Sequence, residues 1–151
     1  MTLADRTILL VEDDPDDEKL TLRAFKQSNI ANPVAVARDG VEALDYLFAR
    51  GPHSGRAGKP GPTLVVLDLK LPKLDGLGVL KAIRADERTK LIPVVIMTSS
   101  KEEEDVLNGY ANGANIYIRK PVDFTQLQET TKVLGIYWLM INQPPPERAA
   151  K

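Results

Sequence analysis

Several polar side chains in this 151-residue chain stand where short apolar runs end, and together they could bind a cation and an anion. These residues are Glu12, Asp13, Asp14, Asp68, Thr98 and Lys120. If the runs are parallel strands, their carboxyl ends meet at one edge of a sheet, where doubly wound folds bind ligands. Carboxylates crowded at that edge would repel one another unless positive charge lay between them. The candidates for that charge are Lys120 and a hard divalent cation, which prefers oxygen ligands.

The chemistry that suits this set is transfer of a phosphoryl group to a carboxylate, which gives an aspartyl phosphate. Such a transfer depends mainly on positioning and on charge neutralisation. Asp68 is the predicted acceptor, and Glu12 and Asp13 would join it in holding Mg²⁺. Lys120 and the Thr98 hydroxyl would contact the equatorial oxygens of the phosphoryl group.

Each of these residues also has an ordinary explanation when it is taken alone. Asp14 is a natural helix N-cap, Thr98 a common strand residue and Lys120 a possible solvated surface charge. The single histidine, His53, lies in a glycine- and proline-rich stretch and is interpreted as a loop residue. Asp68 is harder to dismiss, because a carboxylate that closes an apolar strand beside other carboxylates needs compensation.

The elements that must position these residues alternate regularly along the chain. Apolar runs typical of buried strands cover residues 7–11, 34–37, 63–68, 93–98 and 116–118. Helix starts follow them at Asp14-Pro15, Asp39 with Glu42, Asp75-Gly76, Ser100 with Glu103, and Asp123 with Gln126. Alternating strands and helices predict a (βα)5, doubly wound parallel sheet. We expect the strand order 2-1-3-4-5 by analogy with flavodoxin-like folds.

One domain is expected over residues 1–142. Residues 51–62 hold seven glycines or prolines out of twelve, which predicts a loop insertion without regular structure. Residues 143–151 contain three consecutive prolines at 144–146 and are expected to be an extended or disordered tail.

Composition excludes several functional classes. The net charge is -1, so no overall field favours nucleic acid or an anionic membrane. The absence of cysteine excludes disulfides and thiolate chemistry. The N-terminus lacks a signal-peptide core, and the apolar runs are too short to span a bilayer. We therefore expect a cytoplasmic protein without a membrane segment.

Four motifs in their order along the chain resemble the receiver domains of bacterial response regulators. They are Val-Glu-Asp-Asp-Pro at 11–15, Leu-Asp-Leu-Lys-Leu-Pro-Lys-Leu-Asp-Gly at 67–76, Met-Thr-Ser at 97–99 and Lys-Pro at 120–121. The resemblance spans about residues 5–140 and implies phosphoryl transfer from a histidine kinase to Asp68, with Mg²⁺ or Mn²⁺ as cofactor. It implies that Glu12, Asp13 and the backbone carbonyl of Lys70 hold the metal.

The same resemblance implies a conformational switch made of Thr98, Tyr117 and Lys120. Phosphate would draw Thr98 inward, Tyr117 would turn into the vacated space, and the surface of the last two helices would change. Tyr117 could equally be an ordinary core aromatic. Slow self-phosphorylation and self-dephosphorylation are the only catalysis expected.

The 51–62 insertion, the long last helix and a Trp-Leu pair near the C-terminus resemble the single-domain regulators encoded beside bacterial phytochrome kinases. This narrower resemblance implies a bacteriophytochrome as the partner kinase. No output domain fits after residue 142, so output would pass through protein–protein contacts or a phosphorelay.

The last predicted helix carries more apolar surface than one packing face needs. One stripe would face the sheet, and the other would form a homodimer or kinase surface. The residues assigned to that surface are Val133, Ile136, Tyr137, Trp138 and Met140. The alternative is that the tail folds back and covers them. A symmetric dimer through the last helices is the prediction.

Two other classes of protein remain as alternatives. A receiver that acts as a phosphate-independent scaffold would usually lack one key residue, and none is missing here. A flavin or nucleotide carrier of the same fold would need a phosphate-cradling loop after the first strand. That loop reads Glu-Asp-Asp-Pro-Asp-Asp-Glu at 12–18, which repels phosphate unless a metal intervenes.

Overall fold

The computed structural model describes residues 6–28, 30, 32–99, 103–120, 125, 128–130 and 132, with the backbone alone for 103–105. Its strands are β1 (Ile8–Val11), β2 (Val34–Ala37), β3 (Leu64–Leu67), β4 (Val94–Thr98) and β5 (Ile116–Arg119). Its α-helices over these residues are α1 (Pro15–Gln27), α2 (Gly40–Phe48), α3 (Gly76–Ala85) and α4 (Glu103–Ala111). Residues 125, 128–130 and 132 are also helical. None of the helices in this part of the chain has the length and apolarity needed to cross a bilayer.

The five strands form one parallel sheet in the order β2-β1-β3-β4-β5. This confirms the predicted flavodoxin-like architecture. The three central strands are buried along their whole length, whereas β2 and β5 at the edges are mostly half-buried. Continuous apolar runs in β1, β3 and β4 follow from this position, because both faces of a central strand lie against helices.

The core has one layer on each side of the sheet. One layer contains Leu9, Val65 and Ile96 together with Leu80 and Ile83 of α3. The other contains side chains that point the opposite way along the same strands, packed against Ala24 and Phe25 of α1. Alternate residues of each central strand therefore contribute to different layers, as the two-residue period of a strand requires.

Aspartate N-caps start three of the helices. The caps at Asp14 and Asp39 are predicted, whereas Asp75 is predicted only as part of the turn that leads into a helix. Asp14 accepts hydrogen bonds from the backbone of the first turn of α1, and Asp39 and Asp75 do the same for α2 and α3. The capping pair on α2 differs in one detail. Asp39 Oδ1 accepts from the Glu42 N–H at 2.7 Å, but Glu42 reaches back to the N–H of Arg38 rather than to that of the cap residue.

The prediction that residues 51–62 hold no regular structure is wrong for the first half of the segment. Residues Gly51–Arg56 form a 3₁₀ helix that packs beside α2. The Arg56 guanidinium lies 3.6 Å from the centre of the Tyr46 ring, and the His53 ring meets the same tyrosine edge-on. These contacts with α2 stabilise the 3₁₀ helix, although the glycine- and proline-rich composition of the segment by itself favours a loop.

Some predictions concern residues outside the described ones. The capping box of Ser100 with Glu103 is one, and the bounds of the last helix and the tail at 143–151 are others. Helix α4 ends at Ala111, and Gly113 follows with φ of 97°. A left-handed glycine in that position is typical of a helix C-terminus.

Candidate functional site

The strand register brings the predicted site residues to one edge of the sheet. Val11 is paired with Leu67, and Leu67 with Ile96, so Glu12 and Asp68 leave neighbouring strands at the same level. Thr98 ends β4, and the backbone N–H of Lys120 donates to the Thr98 carbonyl at 2.7 Å. The carboxyl edge of the sheet therefore carries two carboxylates, a hydroxyl and an ammonium group from four strand ends.

Three carboxylates at this edge form a group that could hold a metal ion. Glu12, Asp13 and Asp68 each place one oxygen within 4.8 Å of the others. Glu12 and Asp68 are buried, whereas Asp13 is exposed, so the group opens to solvent on one side. An all-oxygen donor set with an open side fits a hard divalent cation, which keeps several water ligands. The residues predicted to share a cation thus lie together.

Asp68 is buried to 7% exposure, and both of its carboxylate oxygens accept hydrogen bonds. Oδ1 accepts from the Thr98 hydroxyl and from the Lys70 N–H, both at 3.0 Å. Oδ2 accepts from Lys120 Nζ at 2.9 Å. A buried carboxylate is tolerable only with such partners. Thr98 and Lys120, the two residues expected to contact a phosphoryl group on Asp68, thus already contact its carboxylate.

Lys120 makes an ion pair with a residue that sequence reasoning did not include in the site. Its Nζ donates to Glu12 Oε1, to Asp68 Oδ2 and to Asp17 Oδ2, the last at 2.8 Å. In the sequence, Asp17 is explained by the preference for acidic residues in the first turn of a helix. The two residues are far apart in sequence, so the sequence does not predict the contact, which forms because the Lys120 side chain reaches the first turn of α1 at the carboxyl edge of the sheet.

Burial and hydrogen bonding in the pocket shift the pKa values of Glu12 and Lys120. Burial raises the pKa of Glu12 to about 7, although its hydrogen bond with Lys120 opposes the shift. Burial alone would lower the pKa of Lys120, but hydrogen bonds to Asp17, Asp68 and Glu12 outweigh it and raise that pKa. Lys120 is therefore positively charged. Among the described residues, its ammonium group is the one that compensates the negative charge of Glu12, Asp17 and Asp68.

The turn after Asp68 leaves no room for a side chain at position 76. A Cβ on Gly76 would lie 2.2 Å from the Asp68 carbonyl oxygen and 2.7 Å from the Leu69 Cα. The Gly76 N–H donates to the Leu69 carbonyl at 2.9 Å. The start of α3 is thus packed directly against the backbone that carries Asp68, which explains the Asp-Gly pair at 75–76.

Tyr117 lies on β5, and its described contacts are with the core and with α4. It is half-buried and packs against the core layer that contains Ile96. Its ring centre lies 6.5 Å from that of Tyr110 on α4, and its N–H donates to the Tyr110 hydroxyl at 3.3 Å. The tyrosine thus connects β5 with α4, and its role in switching stays a prediction. The five residues assigned to a partner surface lie outside the described residues, and they are Val133, Ile136, Tyr137, Trp138 and Met140.

The fold and the site together define an α/β domain with a doubly wound parallel sheet whose carboxyl edge carries an acidic pocket and a lysine. A family model described as the response regulator receiver domain matches residues 8–132. The chain belongs to this family, whose members are switches in two-component signalling rather than enzymes.

Two relatives match most of the chain. The probable methanogenesis regulatory protein FilR2 of Methanothrix harundinacea (strain 6Ac) is 41% identical over 138 residues, 91% of this chain and 86% of FilR2. Response regulator Rcp1 of Synechocystis sp. (strain ATCC 27184 / PCC 6803 / Kazusa) is 36% identical over 134 residues, 89% of each chain. Both matches extend over nearly the whole of the relative.

Three similar solved structures are regulators of this kind. The phosphorylated cyanobacterial phytochrome response regulator RcpA has a TM-score of 0.86 at 36% identity and covers 93% of this chain and 99% of its own. The Mn²⁺-bound form of Rcp1 has a TM-score of 0.85 at 35% identity, with the same coverage. The bacteriophytochrome response regulator AtBRR has a TM-score of 0.73 at 48% identity, covering 91% and 98%. The chain thus closely resembles phytochrome-associated regulators.

Proposed function

We propose that this receiver domain accepts a phosphoryl group on Asp68 from the phosphohistidine of a sensor kinase. The observation that carries the proposal is the pocket itself. Asp68 lies with Glu12 and Asp13 in one carboxylate group and is hydrogen-bonded to Thr98 and Lys120. The phosphorylated state of the similar regulator RcpA supports it.

In the proposed reaction, a carboxylate oxygen of Asp68 forms a bond to phosphorus while the phosphorus–nitrogen bond of the phosphohistidine breaks. The imidazole nitrogen leaves with the electron pair of that bond. Negative charge then lies on the three phosphoryl oxygens, and the pocket must compensate it. Lys120 would donate to one of these oxygens and the Thr98 hydroxyl to another, since both already contact Asp68.

A divalent cation, Mg²⁺ or Mn²⁺, would be held by the side chains of Glu12, Asp13 and Asp68 and by the backbone carbonyl of Lys70. When bound, the ion neutralises the oxygens of the transferred group. The carboxylate geometry supports this assignment, and so does the Mn²⁺-bound form of Rcp1.

Mg²⁺ should therefore stabilise the fold. The cation binds a carboxylate group that exists only in the folded chain, so Mg²⁺ at about 100 times its Kd should add about 2.7 kcal/mol, or roughly 5–10 °C in Tm. Differential scanning fluorimetry measures the shift, and EDTA should reverse it. Asp13→Asn should remove most of the shift in Tm, because it removes one of the three carboxylates that hold the cation. Asp13 is exposed, so the substitution should leave the core intact. Equal shifts in Asp13→Asn and the parent chain would place the cation elsewhere.

Phosphorylation would change the surface of the last two helices through Thr98 and Tyr117. Thr98 lies at the end of β4 and donates to Asp68, and Tyr117 is packed between β4 and α4. A shift of Thr98 toward a phosphoryl oxygen would leave space beside β4 that Tyr117 could enter. The α4 surface that would respond includes Leu107 and Tyr110, which are exposed.

The proposed partners are a sensor histidine kinase and a second copy of the chain. Similarity to RcpA, Rcp1 and AtBRR supports a phytochrome kinase as the donor. The apolar residues of the last helix support a homodimer through that helix and its neighbours. Leu107 and Tyr110, which are exposed on α4, are further candidates for contact with a second copy.

A dimer of this kind should be visible by analytical ultracentrifugation at micromolar concentration. We expect the parent chain to sediment as a dimer in at least one of its two phosphorylation states. Ile136→Glu should shift it to the monomer, since a charge in an apolar interface is costly. Lys132→Glu is the matched control, because Lys132 belongs to the same predicted helix and is exposed. A chain that is monomeric in both phosphorylation states would refute the dimer.

A further inference from the structure

The ammonium group of Lys120 has used all its hydrogen-bonding capacity on carboxylates. An ammonium offers three N–H donors. In the structure they go to Glu12 Oε1, Asp17 Oδ2 at 2.8 Å and Asp68 Oδ2 at 2.9 Å. The side chain is only 14% exposed, so water contributes little. Any phosphoryl oxygen that Lys120 is to contact must compete with these acceptors.

The three acceptors of Lys120 are not equivalent. The side chains of Glu12 and Asp68 are 3% and 8% exposed, and both belong to the candidate metal group. Asp17 is 40% exposed, lies on α1 and is not in that group. Water can replace the lysine around Asp17 at low cost, whereas a buried carboxylate without a partner is expensive.

Asp17 also adds negative charge where an anion must bind. Its Oδ2 and that of Asp68 accept from the same nitrogen, so the two charges are separated by only two hydrogen bonds. A carboxylate this close repels a phosphoryl group on Asp68 and offsets part of the lysine charge that would attract it. The repulsion by Asp17 and its partial compensation of the Lys120 charge both weaken the binding of an anion.

We propose that Asp17 is a positioning residue that restrains Lys120 and thereby lowers the affinity of the pocket for a phosphoryl group. Its contact with Lys120 holds the ammonium in a site shared by three carboxylates, and this contact must loosen when the phosphoryl oxygens compete for it. The inference rests on the proposed phosphoryl acceptance at Asp68 and concerns how strongly that state is favoured.

The probe is the beryllium trifluoride anion, which binds carboxylates as a mimic of the phosphoryl group. Its Kd is measured by NMR titration at saturating Mg²⁺ in the parent chain and three variants. Asp17→Asn keeps the shape of the side chain and removes its charge, and roughly threefold to tenfold tighter binding is expected. Asp17→Glu restores the charge and should return the Kd toward that of the parent chain.

Asp16→Asn is the matched control. Asp16 is the neighbouring acidic residue in the first turn of α1, is exposed and is not an acceptor of Lys120. Both substitutions remove one charge from the helix N-terminus, so a general loss of α1 stability or a long-range charge effect would appear in both. Asp16→Asn should keep the Kd within roughly twofold, because exposed charges without contact are screened.

The outcomes separate the restraint from the proposed function. If the parent chain binds no beryllium trifluoride in Mg²⁺, both are wrong. If the parent chain binds it and Asp17→Asn binds no more tightly than Asp16→Asn, the restraint is wrong and phosphoryl acceptance stands. A gain in Asp17→Asn that Asp17→Glu does not reverse would also overturn the restraint.

Discussion

Asp68→Asn should abolish phosphorylation, by small phosphodonors and by a kinase alike. An amide lacks the charged oxygen that attacks phosphorus, and no other described carboxylate has the same partners in Thr98, Lys70 and Lys120. Incubation with acetyl phosphate and Mg²⁺ should label the parent chain with acid-labile, hydroxylamine-sensitive phosphate. The variant should show only background labelling on Phos-tag gels.

The control for this experiment is Asp86→Asn. Asp86 lies at the C-terminal end of α3, away from the carboxyl edge of the sheet, and pairs with Arg88. It should leave labelling unchanged, and a circular dichroism spectrum should confirm that Asp68→Asn is folded. Labelling of folded Asp68→Asn at the parent level would move the acceptor to another residue and contradict the proposal.

Lys120→Ala should separate metal binding from phosphoryl binding. Truncating one member of a buried charge pair costs about 2–5 kcal/mol, so affinity for beryllium trifluoride should fall roughly 30-fold or more. Mg²⁺ should still bind, since Glu12, Asp13 and Asp68 remain and lose a competing cation. The change in α4 that accompanies phosphorylation should disappear. Amide hydrogen exchange of residues 103–111, with and without the anion, measures this response.

Lys81→Ala is the control for the lysine experiment. Lys81 is exposed on α3 and takes no part in the pocket, so the variant should respond as the parent chain does. Should Lys120→Ala bind the anion and alter exchange in α4 like the parent, lysine would have no part in the switch. Loss of Mg²⁺ binding together with anion binding would instead indicate that the pocket has collapsed.

Much of the fold follows from local patterns in the sequence. Continuous apolar runs such as Ile8–Val11 indicate strands covered on both faces, and the aspartates at 14, 39 and 75 mark helix starts because an N-cap needs a short acceptor side chain. Once the strands are parallel, residues that follow them must share an edge. For this reason the sequence alone is enough to assign Glu12, Asp68, Thr98 and Lys120 to one pocket.

The remainder depends on contacts between elements that are distant in sequence. In the sequence, Asp17 is explained by the helix dipole alone, and only the assembled sheet brings the Lys120 side chain to the first turn of α1. The 3₁₀ helix at Gly51–Arg56 packs on Tyr46 of α2, and this contact stabilises it although its composition favours a loop. Local sequence propensities cannot predict such contacts, because the contacts form only when the sheet has assembled.

We propose that one pocket holds a divalent cation and a phosphoryl group at the same time. A crystal structure of the chain with Mg²⁺ and beryllium trifluoride tests it most directly. We predict the cation among Glu12, Asp13 and Asp68, and the anion on an Asp68 oxygen within hydrogen-bonding distance of Thr98 and Lys120. Density for the cation or the anion at another position would contradict this proposal. So would a pocket that lacks either of them at saturating concentrations of both.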